Sequence, residues 1–346
     1  MRMGCPTLEQ LPPPPPGKTG WPWTEESPQL PDAMPDGRPW PRVSIITPSY
    51  QQGQFIEETI RSILLQGYPN LEYSIIDGGS TDGSVAVIKK YSDWLSYWEC
   101  QPDRGQSHAI NKGFRCATGE ILTWLNSDDR LTSGALAAVA TILTESPACP
   151  VVTGDYEDID LAGTPMRKRF GMPLGTEDLI VCRRHLGQPA TFYTRTVLDR
   201  VGLLDESLHY SMDHELFIRM RLAFPFAYTP RVLAQLRLHP EAKTVSQRLP
   251  MLLEIIRACR RYWGRFPSVV WFRRARECHR RIAQTILLLA AEFGVARGDL
   301  RNAAICLVRG CFLYPPHMFS RLVFSLSFRI LLGKTVTEKL RGYIAR

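Results

Sequence analysis

At 346 residues, 44% hydrophobic and 22% charged, the chain can bury one large core or two ordinary ones, and it is too apolar to be disordered throughout. Its net charge of +8 is unevenly placed: residues 246–346 carry 19 Lys and Arg against 5 Asp and Glu, whereas residues 1–245 carry 23 against 29. A partner drawn by charge, such as an anionic lipid surface or nucleic acid, would therefore meet the last third; the plainer alternative is a solvated basic helical face. The nine cysteines form no C-x-x-C pair, which predicts a reduced, cytoplasmic setting. The N-terminus lacks the pattern of a secretory signal, and no apolar run reaches the roughly 18 residues that a membrane span needs.

Residues 1–41 are rich in proline, with five in a row from Pro12 to Pro16, and predict a disordered arm without backbone donors or apolar periodicity. A second region, residues 42–245, opens with the β-branched run Val43-Ser44-Ile45-Ile46-Thr47, which reads as a buried strand. Helix-spaced apolar residues follow over 53–66, and Gly67 stands where a helix would end. A strand over 71–77, a helix to about Tyr91, a strand over 97–100, a helix over 106–117 and a strand ending at Leu125 complete the alternation. This rhythm predicts a parallel, doubly wound α/β sheet with its ligands at the carboxyl ends of the strands.

The polar residues fall at those ends. Thr47 and Tyr50 follow the first strand, Asp77 ends the second, Asp103 and Arg104 follow the third, and Asn126, Asp128 and Asp129 follow the fourth. A single carboxylate in such a loop is more often a helix cap than a ligand, but four coordinated placements point to one crevice. Adjacent carboxylates repel and are costly to bury unpaired, so a cation is expected beside them. A hard divalent cation, Mg²⁺ or Mn²⁺, shared with a diphosphate suits that donor set. Neither G-x-G-x-x-G nor G-x-x-x-x-G-K-[ST] occurs, which disfavours a dinucleotide dehydrogenase and a P-loop enzyme.

Five motifs in order carry a closer likeness. They are Val43-Ser44-Ile45-Ile46-Thr47-Pro48-Ser49-Tyr50; Asp77-Gly78-Gly79-Ser80-Thr81-Asp82-Gly83; Asp103-Arg104-Gly105 with Ala109-Ile110-Asn111-Lys112-Gly113; Ala117-Thr118-Gly119-Glu120; and Leu125-Asn126-Ser127-Asp128-Asp129. Together they resemble glycosyltransferase family 2, of GT-A fold: a Rossmann-like, doubly wound mixed sheet, here followed by a helical extension. The resemblance implies an inverting, nucleotide-sugar-dependent enzyme. Thr47, Tyr50, Asp77, Asp103 and Arg104 would line the nucleoside pocket, and Asn126 would lie near the ribose. Asp128 or Asp129 would reach the metal, joined by His239. Asn126 stands where the family has its first acidic residue, which lowers the negative charge offered to the metal.

In the second half, the same resemblance makes Asp213, at a predicted helix start, the catalytic base, with Met212 in place of the usual preceding Glu, and sets Gln188 near the acceptor. The plainer reading of Asp213 is a carboxylate favouring the helix dipole. The Q-x-x-R-W signature of processive synthases is absent, so one sugar per encounter is expected. Residues 246–346 predict three helices and, from Phe319 to about Leu332, an interfacial segment flanked by Lys334, Lys339, Arg341 and Arg346 that would dock peripherally on the inner face of the membrane. The leading expectation is transfer from a UDP-sugar to a saccharide or lipid-linked acceptor in surface polysaccharide or glycolipid assembly, with no nucleic acid partner. Its rivals are a nucleotidyltransferase and a catalytically silent sugar-nucleotide-binding scaffold.

Overall fold

The computed structural model describes residues 5–171, 175–183, 185–263, 268–293, 299–320 and 323. The chain divides into two compact units: residues 1–175 with 186–245, and residues 176–185 with 246–346.

In the first unit the strands β1 Val43–Ser49, β2 Leu71–Asp77, β3 Tyr97–Cys100 and β4 Ile121–Trp124 alternate with the helices α1 Ile56–Leu64, α2 Ser84–Lys90 and α3 Gln106–Cys116. β1 is buried along its whole length, as its β-branched run requires of a central strand. β1 pairs in parallel with β2 from Val43↔Leu71 to Ser49↔Asp77, and with β4 from Val43↔Ile121 to Ile46↔Trp124. The carboxyl ends of three neighbouring strands thus open on the same edge. Beyond them lie β5 Arg130–Leu131, α4 Ala135–Glu145, β6 Val151–Ile159 and β7 Pro165–Arg169. A short α5 Thr176–Ile180 leads to β8 Thr191–Thr194, α6 Arg195–Val201, α7 Met212–Ala223, β9 Phe226–Arg237 and α8 Lys243–Ser246. The strand order is β3-β2-β1-β4-β8-β6-β9-β5, with β7 on β6. The first four strands are parallel and β8 is antiparallel to both its neighbours, so the sheet is mixed.

The N-terminal segment departs from expectation. It is packed rather than disordered: Leu11, Trp23, Met34 and Trp40 are buried. The Arg61 guanidinium on α1, wholly buried, donates to the carbonyls of Pro12, Pro22 and Trp23 at 2.9–3.0 Å and to the Tyr91 hydroxyl at 3.2 Å. Prolines lack an N–H but keep their carbonyl, and an arginine with five donors can hold several at once. The backbone adds bonds from Ser27 N–H to Leu65 O and from Leu30 N–H to Gly67 O. Gly67 has φ +63°, and a Cβ there would come within 2.3 Å of the Pro28 carbonyl oxygen, so the turn requires glycine twice over.

In the second unit the helices are α5, α9 Arg248–Trp263, α10 Ser268–Ala291 and α11 Leu300–Leu313. The Asp299 carboxylate caps α11 by accepting from the Asn302 N–H at 3.1 Å. Ile305, Val308 and Phe312 recur at helical spacing on α11 and are exposed. No helix among the described residues is long and apolar enough to cross a membrane. The predicted interfacial segment, residues 319–332 with its flanking Lys334, Lys339, Arg341 and Arg346, lies almost wholly outside the described residues.

Candidate active site

The apolar run of β4 ends at Trp124, and Leu125 N–H still bonds Ile46 O before the chain turns. The turn closes with Asp129 N–H on Asn126 O at 3.1 Å, and β5 then pairs antiparallel with β9 through Arg130↔Gln235. That pairing carries the end of β9 back beside the turn. The His239 Nε2 lies 3.1 Å from Asp128 Oδ2, and the imidazole, 4% exposed, is tilted against Phe55 at 4.8 Å between ring centroids.

The two adjacent carboxylates have separate surroundings. Asp128 remains partly open, whereas Asp129 is buried and accepts from the Arg237 backbone N–H at 2.9 Å and the Asn126 amide at 3.2 Å. Burial, together with the charge of Asp128, pushes the Asp129 carboxyl well above the usual range. Asp129 is thus tied into the fold, whereas Asp128 is left facing His239. The Arg237 guanidinium lies close by but pairs elsewhere: its Nε donates to the Asp128 backbone carbonyl at 3.0 Å and its Nη2 meets Glu58 Oε2 at 2.9 Å, a carboxylate shared with Arg130.

Around this pair the amides form a chain. Asn126 Oδ1 accepts from Gln106 Nε2 at 2.8 Å, and Gln106 Oε1 accepts from Lys243 Nζ at 2.9 Å. Gln188 Nε2 donates to Trp124 O at 2.6 Å and its Oε1 lies 3.4 Å from Asn126 Nδ2. Lys243, exposed at the start of α8, is a cation that motif reading did not single out; a Lys four residues beyond His239 was the available signal.

At the carboxyl ends of β1 and β2, Tyr50 is 60% exposed, and a Cβ on Gly78 would meet Asp103 Oδ2 at 2.9 Å and the Tyr50 ring at 3.4 Å. Tyr50 and Asp103 therefore both pack against the bare backbone of Gly78, where a side chain would not fit. Three expected lining residues stand otherwise. Thr47 is fully buried and accepts from the Tyr73 hydroxyl at 3.0 Å. Asp77 is fully buried and accepts from the Ser49 and Ser80 hydroxyls and from the Gly79 and Ser80 N–H groups, so it holds the loop together. The Arg104 guanidinium pairs with Glu206 at 2.7 Å in an exposed, solvent-screened contact.

Asp213 lies in the first turn of α7 and is partly exposed. The helix stacks Phe217 on Trp124 at 6.5 Å, and Arg219 donates to the carbonyls of Val201, Gly202 and Leu203. Burial raises the Tyr156 phenol, with the carboxylates of Asp158 and Asp213 acting in the same direction against Arg169 and Arg167. A Cβ on Gly187 would strike the Tyr156 ring, so Tyr156 links the neighbourhood of Asp213 to that of Gln188. A cavity of about 620 Å³ between the N-terminal segment and the Glu58–Arg130 pair shares no lining residue with these groups.

Tyr50 and Asp103 at one set of strand ends, Asp128 with His239 at the next and Asp213 at a helix start lie in a mixed sheet of the GT-A kind. Residues 44–204 match the model of glycosyl transferase family 2. A glycosyltransferase of Bacillus subtilis named for teichuronic acid biosynthesis, TuaG, is 32% identical over 136 residues, covering 38% of this chain and 54% of TuaG. The S. aureus TarS fragment 1–349 in complex with UDP-GlcNAc superposes with a TM-score of 0.56 at 16% identity, covering 83% of this chain and 86% of the fragment; a longer TarS chain is covered over 50% of its length. The mannosyltransferase PcManGT from Pyrobaculum calidifontis, solved with GDP-Man and Mn²⁺, gives 0.54 at 20% identity over 88% of this chain and 90% of that one.

Proposed function

We propose that this glycosyltransferase moves one sugar per encounter, with inversion, from a UDP-sugar to a hydroxyl of a saccharide or lipid-linked acceptor, in assembly of a surface polysaccharide or glycolipid. The observation that carries the reading is the Asp128–His239 pair at the end of β4, with Tyr50 and Asp103 against Gly78 at the carboxyl ends of β1 and β2 in the same sheet. Its open carboxylate and buried imidazole fit a mixed oxygen and nitrogen donor set for Mn²⁺, or for Mg²⁺ with more ligands from the diphosphate. The bound ion supplies positive charge to the departing diphosphate. Lys243, tied to Asn126 through Gln106, adds a second cation on that side.

The acceptor end is assigned to Gln188 and Asp213. A carboxylate in the first turn of a helix is favoured by the helix dipole, and a positioned carboxylate is the kind of group that takes an acceptor proton. The donor reading draws on TarS with UDP-GlcNAc, and the polysaccharide reading on TuaG. Membrane docking from the cytoplasmic side rests on the exposed Ile305, Val308 and Phe312 and on the basic last third. Incubation with UDP-, GDP- and dTDP-sugars, followed by the anomeric assignment of the product, tests the proposal. A product of inverted configuration from a UDP donor agrees with it. Binding of nucleotide without transfer or donor hydrolysis for any donor would establish the silent-scaffold alternative instead.

A further inference from the structure

The second unit contains a cluster that the transfer reaction does not use. Cys182 lies just past α5, Cys259 in α9 and Cys278 in α10, so three separate elements each bring one thiol to the same point. Cys182 Sγ lies 3.3 Å from Cys259 Sγ and 3.9 Å from Cys278 Sγ, and all three sulfurs fall within 4.8 Å of one another. Cys259 and Cys278 are wholly buried, while Cys182 is partly exposed and leaves an approach from solvent.

These separations have a simple geometric meaning. A tetrahedral ion with sulfur ligands at about 2.3 Å sets its sulfurs about 3.8 Å apart, the edge of the tetrahedron. A disulfide needs about 2.05 Å and joins only two sulfurs, so it accounts neither for the spacing nor for the third thiol. We propose that Cys182, Cys259 and Cys278 bind a zinc ion, which fastens residues 176–185 to α9 and α10. The fourth position is left for a water or for His185, three residues beyond Cys182.

The surroundings suit such a site. Zinc with three thiolates carries one net negative charge, and this unit is strongly basic. Around the same segment, Arg183 bridges Asp178 at 2.8 Å and Glu277 at 3.2 Å, and Arg274 pairs with Glu177, so polar contacts already draw residues 176–185 onto α10. A zinc ion would add a bond between three chain segments where a small helical unit has limited core of its own.

The experiment is metal analysis of the full chain, purified under reducing conditions without chelator. About one equivalent of zinc is expected per chain. It should be lost in Cys278→Ser and kept both in Asp128→Asn, which separates this site from the donor site, and in the exposed Cys116→Ser. Should Cys278→Ser fail to fold, cobalt exchange into the unaltered protein gives the readout, since only thiolate ligands produce a sulfur-to-cobalt charge-transfer band. Zinc-free protein with three free thiols that gives no such band, or a Cys182–Cys259 disulfide found by mass spectrometry under native conditions, would overturn the proposal. Neither result bears on sugar transfer, so the two readings stand or fall separately.

Discussion

The Asp128 carboxylate and the His239 imidazole meet at 3.1 Å although 111 residues separate them in the chain. The contact follows from the two-residue β5, which hangs the end of β9 beside the turn after β4. Replacing either residue should weaken Mn²⁺-dependent UDP binding by at least the roughly 10–100-fold that even outer-shell partners carry. Any binding that persists without metal should change little. Titrations of Asp128→Asn and His239→Ala check this, and equal loss with and without metal would contradict it.

Asp129 behaves differently from its neighbour. Asp129→Asn keeps an acceptor for the Arg237 N–H and removes a buried charge, so metal-dependent binding should stay within a few-fold and the melting temperature should not fall. Asp129→Ala leaves that N–H unsatisfied and should cost about 1–3 kcal/mol. Thermal melts of the two variants separate these effects. A larger loss of metal affinity in Asp129→Asn than in Asp128→Asn would reverse the assignment.

Asp213→Asn keeps the size of the side chain and removes the proposed base. Transfer should slow by about 10²–10⁴-fold with nucleotide affinity unchanged. Steady-state rates paired with a UDP titration give the comparison. A variant that transfers at the original rate would leave Asp213 with only its place at the helix start.

The N-terminal segment depends on Arg61. Arg61→Met should destabilise the first unit by roughly 3 kcal/mol or more, since three carbonyls, two of them buried, lose their donor. Limited proteolysis should then cut within residues 5–41 well before the rest of the chain. Resistance equal to that of the unaltered protein would show the segment held by its apolar contacts alone.

Glu72 sets a dependence on pH. Burial alone would raise its carboxyl, but bonds from the Ser44 hydroxyl and from the Thr118 N–H and hydroxyl, with the charge of Arg42, outweigh it and hold the carboxyl below its ordinary value. A depressed folded value means stabilisation that is complete above the unfolded value of about 4.3 and lost as pH falls through the folded one. Glu72→Gln should be less stable at neutral pH by about 1–2 kcal/mol, with the gap closing in acid. Urea melts at neutral and acid pH test this, and a gap independent of pH would refute it.

Much of the candidate site is legible in the sequence because its signals are local. The alternation of strand and helix and the motif order lie in short stretches, and the polar residues at strand ends follow from them. Ala117-Thr118-Gly119-Glu120 belongs to the same motif set, yet its work is structural: a Cβ on Gly119 would come within 2.3 Å of Ser44 Oγ. What sequence could not separate is orientation. Asp128 and Asp129 look alike until the Arg237 N–H, from a strand more than 100 residues later, claims one of them. Thr47 and Asp77 stand at the right strand ends but are buried by Tyr73, Ser49 and Ser80. The proline-rich segment was misjudged for a related reason: missing donors are visible in sequence, whereas the arginine that gathers its carbonyls lies on a distant helix.

The most direct test of the central claim is a calorimetric titration of the purified chain with UDP, in Mn²⁺ and again in chelator. Binding should strengthen markedly with the metal and lose that gain in Asp128→Asn. Failure of UDP, GDP and dTDP to bind in either condition would contradict the assignment of a nucleotide-sugar donor site to this crevice.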